Sequence, residues 1–180
     1  MGGFKGLGVM TIRAYPQVPE NWQGEALPIF DAEWTKRAQT AASFIEEGSR
    51  VLDLGCGNGS LRRFLPAGCT WVGYDLRPLT PEVRSIDLDA GEFPSGHFDY
   101  VVVLGVLDWL REPRPVLEKA RRAAPFLIVN DKRRRWRLHH LFRSKKSELR
   151  RLLPGTGWSI KEAIEWGQDP RRHYSVCLLS

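Results

Sequence analysis

Three glycines at alternate positions follow closely behind a carboxylate in the stretch VLDLGCGNG, residues 51–59. At Gly55, Gly57 and Gly59 no side chain prevents the backbone from approaching a ligand. Asp53 lies two residues before the first glycine, where a carboxylate suits a ligand with a cationic amino group. If a helix begins directly after this loop, its unpaired N–H groups add further hydrogen-bond donors. The stretch therefore predicts a ligand-binding loop.

Two phosphate-binding patterns fit this loop poorly. A Walker loop ends in Gly-Lys followed by Ser or Thr, and GNGSL contains no lysine. A dinucleotide fingerprint requires a third glycine or an alanine where this chain has Ser60. Asp75 lies 20 residues beyond Gly55, which is also the spacing of a dinucleotide fold. The loop sequence therefore argues against a nicotinamide-dependent oxidoreductase, but the position of Asp75 does not exclude one.

VLDLGCGNG resembles motif I of the class I S-adenosylmethionine-dependent methyltransferases, and the resemblance extends from about Ala32 to the C-terminus. Asp75, at the end of VGYD, resembles the family's acid that binds the ribose hydroxyls. IDLD resembles the segment beside the adenine: Asp87 would accept from the amino group and Leu88 would pack on the ring, with Asp89 as the alternative acid.

The segment FDYVVVLGVLDWL, residues 98–110, resembles the motif of the family's fourth strand. Its last four residues, Leu-Asp-Trp-Leu, replace the Leu-Glu-His-Leu that is common there, so no histidine is available at that position as a base. The resemblance implies an enzyme of EC 2.1.1 type with S-adenosylmethionine as cofactor, and it assigns neither a catalytic residue nor a metal. The cofactor-binding residues it implies are Asp53, Gly55, Cys56, Gly57, Asn58, Gly59, Asp75, Leu76, Asp87, Leu88 and Leu104.

Strands and helices alternate along the chain. The predicted strands cover residues 50–55, 70–75, 83–88, 98–106, 125–131, 158–166 and 173–180. Helical spacing covers residues 31–46, 60–65 and 115–123, and Leu149, Leu152 and Leu153 mark another helix. This order predicts an α/β, Rossmann-like, doubly wound and mostly parallel sheet with an antiparallel C-terminal edge strand.

One connection in this plan is too short. Only seven residues separate Asp75 from Val83, and two of them are prolines, Pro78 and Pro81. A parallel crossover usually needs a dozen or more residues. We therefore expect the usual helix to be very short or absent. A short link here is similar to small bacterial methyltransferases of the MetW type.

Length and composition are those of an ordinary globular protein. A chain of 180 residues with 42% hydrophobic residues predicts a single methyltransferase-like domain over residues 1–180. Residues 1–30 are expected to form an N-terminal lid or extension. The three cysteines, Cys56, Cys69 and Cys177, form no CxxC pair, and the longest apolar run is too short to span a bilayer. These features favour a cytoplasmic protein without a zinc site.

Positive charge is concentrated in one part of the chain. Residues 111–151 hold 15 of the 27 Lys and Arg residues but only 4 of the 21 acids. Residues 131–146 are expected to form a basic arm inserted after the fifth strand. Lys132–Arg151 has three interpretations: a solvated helix face, a surface for nucleic acid or an anionic membrane, or a contact for an acidic small substrate.

The sequence thus predicts a methyltransferase that acts on an anionic small-molecule acceptor. Two alternatives differ in chemistry: a regulatory or partner protein that binds S-adenosylmethionine without catalysis, and a methyltransferase that acts on nucleic acid. His139 and His140, inside the basic segment, are candidates for a base or a substrate ligand.

Overall fold

Seven strands form one sheet in the order β3-β2-β1-β4-β5-β7-β6. The computed structural model describes residues 32–134, 148–166 and 172–180. Its strands are β1 (Arg50–Leu54), β2 (Thr70–Asp75), β3 (Arg84–Ser85), β4 (Tyr100–Val103), β5 (Phe126–Arg134), β6 (Ile160–Trp166) and β7 (Arg172–Leu179). Its helices are α1 (Ala32–Ala42), α2 (Arg114–Ala123), α3 (Glu148–Leu152) and a short 3₁₀ helix, Ser60–Phe64.

Pairing within the sheet is parallel from β3 to β5, whereas β7 pairs antiparallel with both β5 and β6. The predicted fold class is therefore confirmed: the edge strand β6 is joined to the sheet through an antiparallel pairing. Val51–Leu54, Tyr100–Val103 and Leu127–Val129 of the central strands are buried because helices cover both faces of the sheet, as parallel sheets require.

Alternation of side chains along the strands supplies two apolar cores. On one face, Leu52, Val101 and Leu127 pack with α2, which contributes Leu117 at 0% exposure, and with Trp158. On the other face, α1 and the 3₁₀ helix cover a second set of apolar residues: Val51, Val102, Ile128, Ala41 and Leu61. This second face also holds Asp53, which follows Val51 at the alternate position of β1.

The short link after β2 contains no helix, as expected. Leu76–Val83 runs through bends and turns, and a bond from Val83 N to Thr80 O closes the last turn before β3. The strand β3 is shorter than the predicted 83–88 because Asp87 Oδ1 accepts from Asp89 N and Ala90 N and so bends the chain. Only Tyr74 and Asp75 of β2 pair with it.

The fifth strand is longer than predicted. It continues through Arg134, where the sequence suggested an end at Asp131, because β7 pairs with it up to the register Arg134 opposite Arg172. The expected arm over residues 131–146 therefore begins inside a strand. Residues 135–146 of that arm, with His139 and His140, lie outside the described residues, as does the N-terminal extension 1–30.

Candidate cofactor-binding site

The glycine loop connects the carboxyl end of β1 to the 3₁₀ helix. Gly55 N and Cys56 N both donate to Tyr74 O on β2, at 2.7 and 3.1 Å, and Gly59 N donates to Cys56 O at 2.9 Å. Asn58 Oδ1 accepts from Ser60 N at 3.1 Å. These bonds fix the loop across the ends of the first two strands, at the edge where open parallel sheets bind ligands.

Gly55 is required by its conformation and by its surroundings. Its φ is +70°, a left-handed conformation that side chains disfavour, and a Cβ at this position would overlap Val106 Cγ2. Val106 belongs to the segment after β4, so this contact brings the loops after β1 and β4 together. Leu104, at the start of that segment, is partly buried against the core on the α1 face.

Asp75 is bound to the glycine loop. Its side chain is 5% exposed, its Oδ2 accepts from Gly57 N at 2.9 Å, and its Oδ1 accepts from Arg77 N at 3.0 Å. Leu76, the next residue, is 47% exposed, which is a high value for a leucine, whereas the neighbouring acid is buried. Two of the predicted site residues, Gly57 and Asp75, are thus in direct contact through a hydrogen bond.

Asp53 lies beneath the loop. It is 3% exposed and its Oδ2 accepts from Trp71 Nε1 at 3.1 Å. Burial raises the pKa of this carboxyl group to about 7; the bond from Trp71 lowers it, and the nearby charge of Asp75 raises it further. The pKa of the Cys56 thiol is raised well above its usual value by burial and by the charges of Asp53 and Asp75.

The loop after β3 is tied to two neighbouring elements. Asp89 Oδ1 accepts from Arg111 N at 2.9 Å, and Lys119 Nζ on α2 donates to Gly91 O. Asp87 forms the turn described above, and Leu88 is partly buried against the core. Of the two alternative acids, Asp89 is therefore engaged with the segment after β4, whereas Asp87 is bonded within its own turn.

Three residues that the sequence analysis did not assign to the site also meet here. Asn130 Oδ1, at the end of the parallel part of β5, accepts from Gly105 N. Arg37 of α1 is 7% exposed, and its Cζ lies 4.3 Å from the Trp34 ring centroid. A Cβ at Gly105 would be 3.0 Å from Nη1 of Arg37. The third is Trp71. None of the three belongs to a recognisable sequence motif. Only Asn130 could have been found from the sequence, because it lies at the end of a predicted strand, at the same edge of the sheet as the glycine loop.

A family model described as "Methyltransferase domain" matches residues 29–176 of the sequence. The chain belongs to this methyltransferase family. The match covers the glycine loop, Asp75 and all of the sheet except the last three residues of β7. It confirms the resemblance on which the prediction of the cofactor depended. S-adenosylmethionine is the expected cofactor. The finer resemblance to the MetW type is not confirmed.

Solved structures share the methyltransferase fold with this chain. The [4+2]-cyclase SpnF has a TM-score of 0.62 at 14% identity, covering 88% of this chain and 85% of SpnF. The N-methyltransferase NodS from Bradyrhizobium japonicum WM9 has 0.59 at 15%, covering 84% and 96%. A SAM-dependent methyltransferase from Aquifex aeolicus has 0.57 at 17%, covering 84% and 100%. No curated protein matches the sequence.

In this methyltransferase the residue at the place of the family's frequent histidine is Trp109. It is 40% exposed, and its backbone N–H donates to Val106 O at 2.8 Å, which closes a turn beside the glycine loop. Tryptophan supplies no general base, so the described part of the post-β4 segment offers an aromatic surface at this position. Among the described residues, no helix is long and apolar enough to cross a membrane.

Proposed function

We propose that the protein transfers a methyl group from S-adenosylmethionine to an anionic small molecule. The observation that carries this proposal is the hydrogen bond from Gly57 N to Asp75 Oδ2 at 2.9 Å. It joins the loop and the acid that the resemblance assigns to one cofactor. A buried acid at the end of β2 and a glycine loop at the end of β1 form one cradle rather than two separate turns.

The residues present fit a charged nucleoside. Asp75 is a carboxylate that can accept from both hydroxyls of a cis diol, and Leu76 offers an exposed apolar surface to a base. In this proposal Asp87 and Leu88 bind near the adenine. Cys56, Asn58, Gly59 and Leu104 line the remaining cradle.

The amino-acid part of the cofactor carries an ammonium and a carboxylate group. Arg37, whose guanidinium lies against Gly105 in the segment after β4, is our candidate for binding the carboxylate, because a guanidinium group matches a carboxylate in charge and geometry. Asp53 contributes negative charge from beneath the loop, on the side where the ammonium group would lie. At 3% exposure it acts through its field rather than through a broad contact.

When bound, S-adenosylmethionine supplies an electrophilic methyl group. The contribution of this chain is to hold the cofactor and acceptor in line and to exclude water, and proximity of this kind lowers barriers strongly. An amine or thiolate acceptor needs no strong base, whereas a hydroxyl acceptor needs one. Because the LGVL segment does not have the Asn-Pro-Pro-Tyr type motif of base-methylating enzymes, we favour a small-molecule acceptor over nucleic acid.

The charge of the acceptor is inferred from β5 and β7. These strands extend beyond β4 at the carboxyl edge, and their paired residues there include Lys132, Arg133, Arg134 and Arg172. Clustered cations raise the local concentration of an anionic substrate. The basic arm over residues 131–146, the single-domain organisation and a cytoplasmic location are parts of the same proposal and rest on the sequence.

A second candidate function keeps the cofactor site without methyl transfer. It is favoured by Trp109, which leaves the post-β4 position without a base, and by the likeness to SpnF, a [4+2]-cyclase on the same fold. Incubation with methyl-radiolabelled S-adenosylmethionine and either a pool of acidic metabolites or RNA separates the two functions. Labelled product supports the enzyme; cofactor binding with no labelled product from metabolites or RNA supports the alternative.

Binding itself is tested by thermal denaturation. We expect S-adenosylhomocysteine to raise the melting temperature and NAD to leave it unchanged. At 100 times the dissociation constant, linkage gives about 2.7 kcal/mol of stabilisation. Equal shifts with both ligands, or a shift with NAD alone, would contradict the assignment.

A further inference from the structure

Trp71 fills the space under the glycine loop. It is the second residue of β2, and its ring lies over Gly73, where a Cβ would overlap its Cζ2 and Cη2 atoms. A Cβ at Gly59 would lie 3.0 Å from Cη2 of the same ring. The indole therefore extends from the middle of β2 to the far end of the loop, through space that two glycines keep open.

The same ring provides the hydrogen bond to Asp53. In the register of β1 and β2, Asp53 lies opposite Gly73, so the indole that crosses Gly73 brings Nε1 to 3.1 Å from Asp53 Oδ2. A carboxylate that is 3% exposed needs such a donor, because a buried charge without a partner is costly. Trp71 thus makes two contacts with the site: its ring supports the loop and its N–H binds the acid.

We propose that Trp71 is a positioning residue for the cofactor, which orients the Asp53 carboxylate and fixes the height of the glycine loop. The inference rests on the proposed function, since it assigns a role within that cofactor site. Trp71 does not touch the cofactor in this proposal. It acts through Asp53, Gly59 and the loop between them.

The proposal has a consequence for the pH dependence of binding. The groups that face Asp53 and its partner are Asp75 at the end of β2, Cys56 in the loop and Arg62, whose guanidinium carbon lies 5.8 Å from the Trp71 ring centroid. Burial raises the pKa of Asp53 to about 7 and the indole bond lowers it. Loss of the indole donor therefore raises this pKa further. If ionised Asp53 attracts the cofactor's ammonium group, binding strengthens as pH rises through 7, and the midpoint moves to higher pH without Trp71.

The chain offers a matched control for the test. Trp158 is also buried, and its Nε1 donates to Leu117 O at 2.8 Å, but it packs in the core on the opposite face of the sheet. Trp71→Phe and Trp158→Phe each remove one indole donor. Calorimetric titration with S-adenosylhomocysteine from pH 6 to 9 measures the dissociation constant of both variants and of the wild type.

For Trp71→Phe we expect binding about tenfold weaker at pH 7, as for loss of a hydrogen bond to a charged group, and a midpoint at higher pH. Trp158→Phe should bind within about twofold of the wild type, because its bond lies far from the site. Wild-type affinity and an unchanged pH profile in a folded Trp71→Phe variant would overturn the inference. Failure of the wild type to bind S-adenosylhomocysteine would instead overturn the proposed function.

A second measurement decides the matter if Trp71→Phe does not fold. The indole N–H signals of the wild type are followed by NMR across the same pH range, without and with S-adenosylhomocysteine. One signal should titrate near pH 7, lose that titration in Asp53→Asn, and move when ligand is added. The inference fails if no such signal exists or if ligand leaves that signal unchanged.

Discussion

The two halves of the sheet present different chemistry at the same edge. At the ends of β1 and β2, acids are buried and hydrogen-bonded: Asp75 accepts from Gly57 N and Asp53 accepts from the Trp71 indole. At the ends of β5 and β7, the register instead pairs Arg133 with His173 and Arg134 with Arg172. The first half fixes a few groups at defined distances, whereas the second holds more basic than acidic residues, with Asp131 as its buried acid.

This difference indicates a division of labour. Like charges on directly opposite residues of paired strands, as at Arg134 and Arg172, destabilise a sheet. A bound anion would offset that cost at the β5–β7 end. In the proposed function, the buried half holds the cofactor at a fixed geometry and the charged half attracts the acceptor.

The largest expected effect comes from Gly55→Ala. The new Cβ overlaps Val106 Cγ2 and the residue has φ +70°, so we expect S-adenosylhomocysteine binding to be lost in calorimetry. Gly48→Ala is the matched control, since Gly48 has φ +75° with nothing within 4 Å of a Cβ. It should cost about 1–2 kcal/mol of unfolding free energy from backbone strain and leave binding intact. If Gly55→Ala binds S-adenosylhomocysteine normally, the buried half of the sheet does not hold the cofactor in the way we propose.

Asp53→Asn should make the apoprotein more stable while it weakens cofactor binding. The folded-state pKa of about 7 exceeds the unfolded value, so the folded protein holds more protons between pH 4 and 7 and loses stability as pH rises through that window. The gain from Asp53→Asn should therefore grow up to pH 7 and then level off, at no more than about 4 kcal/mol. Urea denaturation at pH 5, 7 and 8 measures it. A gain that is independent of pH would contradict the assignment of this pKa.

Asp75→Asn should weaken S-adenosylhomocysteine binding by about 1.5–3 kcal/mol, the usual range for hydrogen bonds to a charged group. Asp99→Asn is the control, because Asp99 Oδ2 also accepts a backbone N–H, from Arg50 at 2.7 Å, but at the opposite end of the sheet. Calorimetry on both variants separates a role at the ribose from a general loss of a carboxylate. Equal effects on affinity would show that Asp75 has no special place at the cofactor.

The smallest effect is expected in the charged half. Replacing Arg133, Arg134 and Arg135 by Gln should raise the acceptor concentration needed for half-maximal methylation a few-fold, less so at high salt, and spare cofactor affinity. The control is a second triple variant, which removes the same number of positive charges at the amino edge of the sheet by replacing Arg50, Arg122 and Lys161 with Gln. If both triple variants change the acceptor concentration for half-maximal methylation equally, Lys132–Arg151 has no specific role in acceptor binding and is a solvated face.

Much of the first half could be predicted from sequence because its signals are local. The glycines, Asp53 and Asp75 lie at strand ends, and strand order in a parallel sheet brings such ends together. The absence of a helix before β3 could be predicted because the seven residues between Asp75 and Val83 are too few for the usual crossover helix. These features depend on chain length and backbone geometry rather than on how side chains pack.

Other contacts could not be predicted because they depend on packing between distant segments. Nothing local indicates that Trp71 crosses Gly73 to reach Asp53, or that Arg37 of α1 lies against Gly105. The length of β5 was misjudged for a related reason. Its basic residues look like the start of an arm until β7, almost forty residues later in sequence, pairs with them.

The position of β7 has a consequence for how the chain folds during synthesis. Among the described strands, β7 is the last in sequence but lies inside the sheet, and it is the strand that joins β6 to the sheet. On the ribosome, β6 emerges before any strand that it can pair with, and β5 keeps an open edge until β7 has left the exit tunnel. Sheets built from such distant pairings fold slowly. A nascent chain halted before Arg172 would therefore expose the edge of β5, which makes this interval the stage at which a chaperone would contribute most.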